Sequence, residues 1–187
     1  MGIIQNDMGL DATTNIDYEL VDKGEFYGTY YGQYGQELPP DELYVLTNET
    51  IENCTTYNVE KKKTAKIYTE TKSADRYDIF VSGATPLIEI KNPNAKTDKE
   101  LLLFRDSFGS SLAPLLVENY SKITLVDIRY MSSKILGEFI DFEDIISSIT
   151  KKLMALPDDT IVYTGHGKST MIREEKPIYL ELKPRLL

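Results

Sequence analysis

The sequence predicts an α/β fold, because two apolar runs typical of strands flank a segment with helical spacing. Residues 101–104 (LLLF) form a short continuous apolar run, which is typical of a strand buried on both faces. Residues 123–126 (ITLV) form a second such run. The two runs and the intervening segment occupy about thirty residues, the usual size of a βαβ unit. We place this unit at 101–130.

The helix of this unit is predicted from Leu112 onward, where apolar residues recur at helical spacing up to Tyr120. Ser110 or Ser111 is positioned to cap it. Pro114 then falls near the first turn, where a missing N–H costs little.

The segments before this unit are less regular. Residues 1–23 are polar and aperiodic, and we expect them to be loosely ordered. Residues 24–45 are rich in Gly and Tyr and predict loop with short extended pieces. Their tyrosines either stack on a sugar or a base, or cover an edge of the core. "KIYTET" alternates like a strand, and "YDIFVSG" and "PLIEIKN" predict a hairpin that turns at Gly83 to Pro86.

Composition limits the classes of partner. The chain has 187 residues, 41% hydrophobic and 27% charged, with a net charge of −9 and a pI of about 4.7. This acidity argues against nucleic acid or an anionic membrane as the partner. We predict neither a signal peptide nor a membrane segment, since no stretch approaches ~18 apolar residues. Cys54 is the single cysteine, so an internal disulfide and a thiolate metal cluster are excluded.

Polar side chains follow both strands of the βαβ unit. Ser107 lies in the turn after the first strand, and Asp127 and Arg129 lie after the second. The carboxyl ends of parallel strands meet at one sheet edge, where open α/β folds bind ligands. Ser107 is either a nucleophile or part of a helix cap, and Asp106 is expected to cap or brace the turn. Arg129 either binds an anionic substrate group or pairs with Asp127.

Residues 26–143 resemble the DHHW protein family, which is related to SGNH-type hydrolases. The stretches that carry the resemblance are "FYGTYY", "RYDIFVSGATPL", "LLLFRDSFGSSLAPLL" and "ITLVDIRYM". The resemblance implies a partial three-layer SGNH-like domain with Ser107 as nucleophile and a histidine base in an Asp-His-His-Trp motif. The N–H groups of the helix start would then stabilise an oxyanion. It also implies acyl transfer or ester hydrolysis on cell-surface polysaccharide, no cofactor, and an extracytoplasmic or membrane-anchored location for intact members.

The chain departs from that family in one decisive respect. It contains no Asp-His-His-Trp sequence, and its single histidine, His166, lies outside the resembling region. We therefore interpret the chain as a truncated member that holds the nucleophile without the base and is inactive by itself.

The last part of the chain resembles a different group. Residues 145–187 resemble the closing block of metallo-β-lactamase-fold hydrolases, most specifically at "TGHG", and the resemblance would make His166 a metal ligand. A catalytic zinc takes three protein ligands, which a chain with one histidine is poorly able to supply. We therefore expect no bound metal.

These observations predict three segments: a loose terminus at 1–23, a DHHW-like α/β domain at 24–143, and a helix-strand-helix tail at 144–187. Net charge changes from −10 over residues 1–143 to +1 over residues 144–187, which together give −9. Our hypothesis is that two segments of different origin are fused near residues 141–145. Two other functions remain open: a non-catalytic carbohydrate-binding or scaffold module that uses the Gly-Tyr segment and the same sheet edge, and a remnant of a zinc-dependent hydrolase.

Overall fold

The protein is described by a computed structural model that covers residues 16–28, 39–71, 73, 75–131, 142–162 and 168–186. The chain divides into two compact units, Met1–Met131 and Ser132–Leu187, and each is described by itself. Among the helices of these residues, none is long and apolar enough to reach across a bilayer.

The first elements in the described part of the first unit are an antiparallel pair of strands, β1 (Glu19–Phe26) and β2 (Asp41–Thr47). The pairing shifts beside Gly24, whose φ of 83° is readily reached only without a Cβ. The expectation of a loose terminus at 1–23 is wrong for residues 19–23, which belong to β1; residues 1–15 lie outside the described residues. A short helix, α1 (Glu49–Asn53), follows β2.

A five-stranded sheet forms the centre of this unit. Its strands are β3 (Thr55–Asn58), β4 (Lys63–Lys66), β5 (Leu87–Lys91), β6 (Glu100–Phe104) and β7 (Lys122–Val126). They lie in the order β4-β3-β5-β7-β6, and only the β6–β7 pair among them is parallel. The central strands β5 and β7 bury Ile88, Ile90, Ile123 and Leu125 almost completely. Burial of such side chains contributes about 1.5–3 kcal/mol each, which explains the continuous apolar runs in the sequence.

The predicted βαβ unit is present. A helix, α2 (Ser107–Leu112), and a 3-10 helix, Ala113–Asn119, connect β6 to β7. The predicted cap at Ser110 or Ser111 is wrong, because the helix begins at Ser107 and the Asp106 side chain caps it. A local side-chain oxygen directly before the helix satisfies its first N–H groups, so the helix starts earlier than its apolar spacing indicates.

The burial of the first strand of that unit differs from the prediction. β6 lies at the edge of the sheet, so it is not enclosed on both faces; Leu101 is half-buried and Phe104 is 44% exposed. A run of apolar residues indicates that a strand is apolar on both sides, and it does not indicate whether both sides are covered.

The predicted hairpin is wrong. Its first half folds into a 3-10 turn, Arg76–Ile79, which the Asp75 side chain caps. Phe80 then makes a single bridge with Tyr68, and only the second half becomes a strand, β5. The strand predicted for "KIYTET" is displaced as well, since β4 ends at Lys66.

In its described residues, 142–162 and 168–186, the second unit contains two helices and a minimal hairpin. Its helix α3 (Phe142–Ser148) continues as a π-helical turn, Ile149–Leu153, and is followed by β8 (Ile161–Val162), β9 (Thr170–Met171) and α4 (Ile172–Leu186). This agrees with the predicted helix-strand-helix order. Two large apolar residues of this unit, Leu153 and Leu156, are exposed. Within its described residues, the unit buries Ile146, Ile172 and Tyr179.

We expect the second unit to open more readily than the βαβ unit. Its strands are two residues long, and segments with few buried apolar contacts open at low free energy. Hydrogen exchange followed by mass spectrometry is expected to show faster exchange over 145–187 than over 101–130. Equal protection of the two segments would contradict this expectation.

A glycine allows α2 to lie directly against the strand end before it. A Cβ built at Gly109 would come 2.5 Å from the Cβ of Arg105. We therefore expect Gly109→Ala to lower the free energy of unfolding by about 1–3 kcal/mol, the usual cost of overpacking. Urea denaturation measures this.

Gly28→Ala is the matched control, because a Cβ there would meet nothing within 4 Å. Its effect is expected to stay within about 0.5 kcal/mol. Equal losses in the two variants would rule out close contact with Arg105 as the cause.

Candidate functional site

Three segments meet at one edge of the five-stranded sheet. The parallel strands β6 and β7 both end there, and the antiparallel β5 begins there. The backbone N–H of Asp127 donates to the carbonyl of Pro86 over 2.9 Å, and that of Arg105 donates to Val126 over 2.8 Å. The residues after β6, the residues after β7 and the loop before β5 are thereby joined. The common edge predicted for Ser107, Asp127 and Arg129 is therefore present.

Ser107 is the first residue of α2 and is exposed. The preceding Asp106 caps the helix: one of its carboxylate oxygens accepts from the N–H of Phe108 at 3.0 Å and from that of Gly109 at 3.4 Å. Asp106 therefore engages these two N–H groups. The expectation that N–H groups of the helix start stabilise an oxyanion stays a prediction. Asp106 has the bracing role expected for it.

Asp127 is completely buried and is held by Arg129. The guanidinium of Arg129 donates from Nε to one carboxylate oxygen at 2.9 Å and from Nη2 to the other at 2.6 Å. Burial by itself would raise the pKa of Asp127, but the hydrogen bonds and charge of Arg129, assisted by Arg105, lower it below the ordinary value. Of the two roles considered for Arg129, the ion pair with Asp127 is the one present in the structure.

Arg129 also faces an aromatic ring. Its guanidinium carbon lies 5.3 Å from the ring centroid of Tyr130, a distance at which a cation is attracted to the ring face. A guanidinium is charged at every ordinary pH, and the hydrogen bond to Asp127 raises the pKa of Arg129 further. The Arg129 side chain remains 41% exposed.

A second arginine, which the sequence analysis did not single out, lies beneath the Ser107 turn. The side chain of Arg105 is buried; its Nη1 donates to the Ser110 hydroxyl and lies 4.0 Å from an Asp127 oxygen. Its Nη2 donates to the carbonyls of Gly83, at 3.3 Å, and Thr85, at 3.1 Å. Burial lowers the pKa of Arg105, and the charge of Asp127 opposes that shift.

The loop before β5 has a strained backbone. Val81 and Ser82 have φ values of 45° and 67°, and Gly83 has a φ of 83°. Left-handed φ is unusual for a β-branched residue and costs of order 1–3 kcal/mol. Such strain occurs preferentially at functional sites, where the surrounding contacts maintain it.

Large apolar side chains are exposed around the same edge. They are Phe104 (44%), Phe108 (73%), Ile128 (63%) and Tyr130 (56%). All four belong to the ends of β6 and β7 or to the residues directly after them. Their exposure was not predicted, because apolar residues next to a strand are expected to be covered.

Other candidate features lie elsewhere. A cavity of about 240 Å³, lined among others by Val21, Val45, Ile51 and Tyr68, does not include Ser107. His166 and residues 29–38 of the Gly-Tyr segment lie outside the described residues. Within the described ranges, no group of three or more His, Cys, Asp or Glu side chains is arranged to hold a metal ion.

Comparison with known proteins gives one family match. The family model described as "DHHW protein" matches residues 3–126, which include Ser107. The match begins and ends earlier than the predicted range of 26–143. The resemblances to SGNH hydrolases and, for residues 145–187, to metallo-β-lactamases remain predictions.

Solved structures share the fold. A DHHW family protein from Eubacterium siraeum is 22% identical, with a TM-score of 0.53, over 71% of this chain and 45% of that one. Bacillus cereus PatB1, solved with a sulfonyl adduct, is 19% identical, with a TM-score of 0.52, over 79% of this chain and 50% of that one.

A shorter match joins the chain to an uncharacterized 11.5 kDa protein of the thcD 3′ region of Rhodococcus erythropolis. The two are 49% identical over 39 residues, which is 21% of this chain and 37% of that protein. The chain therefore spans no more than half the length of any of these three relatives.

The Asp127 carboxylate is expected to make stability depend on pH. Asp127→Asn removes the anion that faces two arginines, and we expect it to lower the free energy of unfolding by about 3 kcal/mol at pH 7. Because the folded pKa is below the unfolded value of about 3.9, the contribution is complete above pH ~5 and is lost as the pH falls through the folded pKa. The gap between the wild type and the variant in urea denaturation is therefore expected to narrow below about pH 4.

Asp158→Asn serves as the control, since Asp158 is 67% exposed and pairs with Lys176 at the surface. Its effect is expected to be at most about 1 kcal/mol. A gap for Asp127→Asn that stays constant from pH 7 to pH 2 would contradict the assignment of a buried, ionised carboxylate.

Proposed function

The chain belongs to the DHHW protein family, and from this premise we propose that it carries the nucleophile-bearing part of an SGNH-like acyl-transfer or esterase site at Ser107. The whole family protein would move or remove acyl groups on cell-surface polysaccharide. By itself the present chain binds an acyl ester weakly and does not turn it over. The observation that carries this proposal is an exposed serine at the first position of a helix that directly follows a parallel strand.

The chemistry requires a hydroxyl that can reach a substrate. Ser107 attacks the ester carbonyl, its oxygen forms the new acyl bond, and the substrate alcohol leaves with a proton. Ser107 is exposed, and the neighbouring Asp106 rather than Ser107 provides the helix cap. The sulfonyl adduct of the Bacillus cereus relative supports a nucleophile in this fold, because sulfonyl groups attach to nucleophilic side chains.

The proton that leaves the hydroxyl needs an acceptor, which the described residues do not provide beside Ser107. Asp106 is engaged in capping, and Asp127 is held by Arg129 in a doubly hydrogen-bonded pair. A positioned base is typically worth ~10²–10⁴ in rate. Without one, a serine hydroxyl is a weak nucleophile at neutral pH.

A second candidate function is a non-catalytic carbohydrate-binding or scaffold module. The observation that favours it is the exposed aromatic surface at the same edge, above all Phe108 and Tyr130. Aromatic faces offer the apolar area with a polar rim that binding modules use. The two functions differ in whether Ser107 becomes acylated.

We expect the chain to hydrolyse p-nitrophenyl acetate no faster than its Ser107→Ala variant, and fluorophosphonate probes to label it poorly. The physical reason is that the described residues place no general base beside Ser107. The measurement is the initial rate of p-nitrophenol release for both proteins at equal concentration.

Robust turnover that Ser107→Ala abolishes would overturn the inactive assignment and indicate a base such as Asp127 or His166. Imidazole added as an external base separates the two candidate functions. Intact-mass detection of acetyl groups on the wild type and not on Ser107→Ala would favour the acyl site. Absence of acetylation, together with sugar binding that Tyr130→Ala removes, would favour the binding module.

A further inference from the structure

We propose that Arg105 is a positioning residue that holds the Ser107 turn and the strained loop at residues 81–85 in a fixed arrangement. The part of this proposal that concerns the reactivity of Ser107, tested by sulfonylation, rests on the function proposed above. The part that concerns the two segments, tested by hydrogen exchange, does not. Arg105 is buried below the turn and does not contact a substrate; it acts through the groups that it binds.

Its hydrogen bonds reach both neighbouring segments at once. One terminal nitrogen donates to the hydroxyl of Ser110, which is itself buried on the first turns of α2. The other donates to the carbonyls of Gly83 and Thr85 in the loop before β5. A planar guanidinium with donors in a rigid fork fixes the relative positions of such partners, which a flexible ammonium group does not.

The backbone of α2 rests directly on this arginine. The Cβ of Arg105 would lie 2.5 Å from a Cβ at Gly109, so no other side chain separates the helix from it. Ser107 lies in the same short helix as Gly109 and Ser110. A displacement of the Arg105 side chain would therefore move the turn that presents the Ser107 hydroxyl.

The loop on the other side needs an external restraint. Its left-handed residues Val81 and Ser82 are costly conformations, which persist only where the surroundings over-determine them. The hydrogen bond from the Gly83 N–H to the carbonyl of Phe80, at 2.9 Å, closes the turn from within. Arg105 restrains this turn from a neighbouring segment, because it donates hydrogen bonds to the carbonyls of Gly83 and Thr85.

The cation is retained in the interior by a nearby anion. Asp127 lies 4.0 Å from Arg105 and is itself held by Arg129, so the three charges form one group below the site. Burial of a charge without a partner is strongly unfavourable, and this arrangement makes the position of Arg105 specific.

The experiment compares Arg105→Gln, Arg105→Lys and Ser110→Ala with Arg76→Gln as the matched control. Arg76 also donates from Nη2 to a backbone carbonyl, but that carbonyl belongs to Lys23 on β1 and not to the Ser107 turn or the loop at residues 81–85. Within the described residues, the Nε atoms of Arg76 and Arg105 are both buried without a hydrogen bond. Two readouts are used on the full chain. They are the rate of Ser107 sulfonylation by phenylmethanesulfonyl fluoride with imidazole as external base, and the hydrogen exchange of residues 81–85 and 107–110.

We expect Arg105→Gln to slow sulfonylation about 10²-fold, the effect of misplacing a reacting group by about 1 Å, and to accelerate exchange in both segments. Arg105→Lys, which keeps the charge but not the fork, is expected to fall between Arg105→Gln and the wild type. Ser110→Ala is expected to accelerate exchange in residues 107–110 only. Arg76→Gln is expected to leave both readouts within twofold of the wild type.

Unchanged exchange at 81–85 in Arg105→Gln would overturn the proposal, as would a sulfonylation rate equal to that of Arg76→Gln. If Arg105→Gln does not fold, Arg105→Lys and Ser110→Ala decide by the same two readouts. If the wild-type protein is not sulfonylated at Ser107, that result contradicts the proposed function alone. The hydrogen-exchange measurement then decides whether Arg105 is a positioning residue.

Discussion

A buried arginine at the end of a sheet strand is the constraint on which the candidate site depends. Arg105 stands where β6 leaves the sheet, and its charge has to be satisfied without water. An isolated buried cation would cost several kcal/mol, so the surrounding segments have to bring it oxygens. They do so from α2, from the loop before β5 and, through Asp127, from the end of β7. The groups around the Ser107 turn are therefore arranged so that they replace water around the Arg105 guanidinium.

The parts of the fold that the sequence predicted are those in which local pattern and burial agree. The βαβ unit was found because β7 is enclosed and β6 is apolar, and because the connection between them has the usual length. The failures occurred where a tertiary contact decides the local structure. "YDIF" has the composition of a strand, yet it folds into a 3-10 helix in which the Tyr77 hydroxyl donates to Ser111 of α2. The sequence analysis did not predict β1 and β2 as strands, because they carry many polar residues and stabilise each other by pairing.

The candidate site also has features that local sequence predicts and features that depend on distant contacts. Asp106 was predicted as a cap because the relation between a side-chain oxygen and the next N–H groups is local, and the edge shared by Ser107, Asp127 and Arg129 follows from parallel strands alone. Arg105 was not found, because an arginine at a strand end is usually solvated and only its distant partners, Gly83 and Thr85, show that it is not.

The two borders of the five-stranded sheet are chemically unlike. β4 presents Lys63 and Lys66 at one border, and ammonium groups resist the approach of another strand because they would lose hydration. β6 forms the other border among the described strands. The residues that flank it make hydrogen bonds at the two ends of β7: the carbonyl of Lys99 accepts from the N–H of Ser121, and the N–H of Arg105 donates to the carbonyl of Val126. Since bonding alternates along a parallel strand, the peptide groups of residues 100, 102 and 104 face away from β7. Among the described strands, the outward peptide groups of β6 are therefore the positions at which the sheet can be extended, and a strand added there would lie next to Ser107.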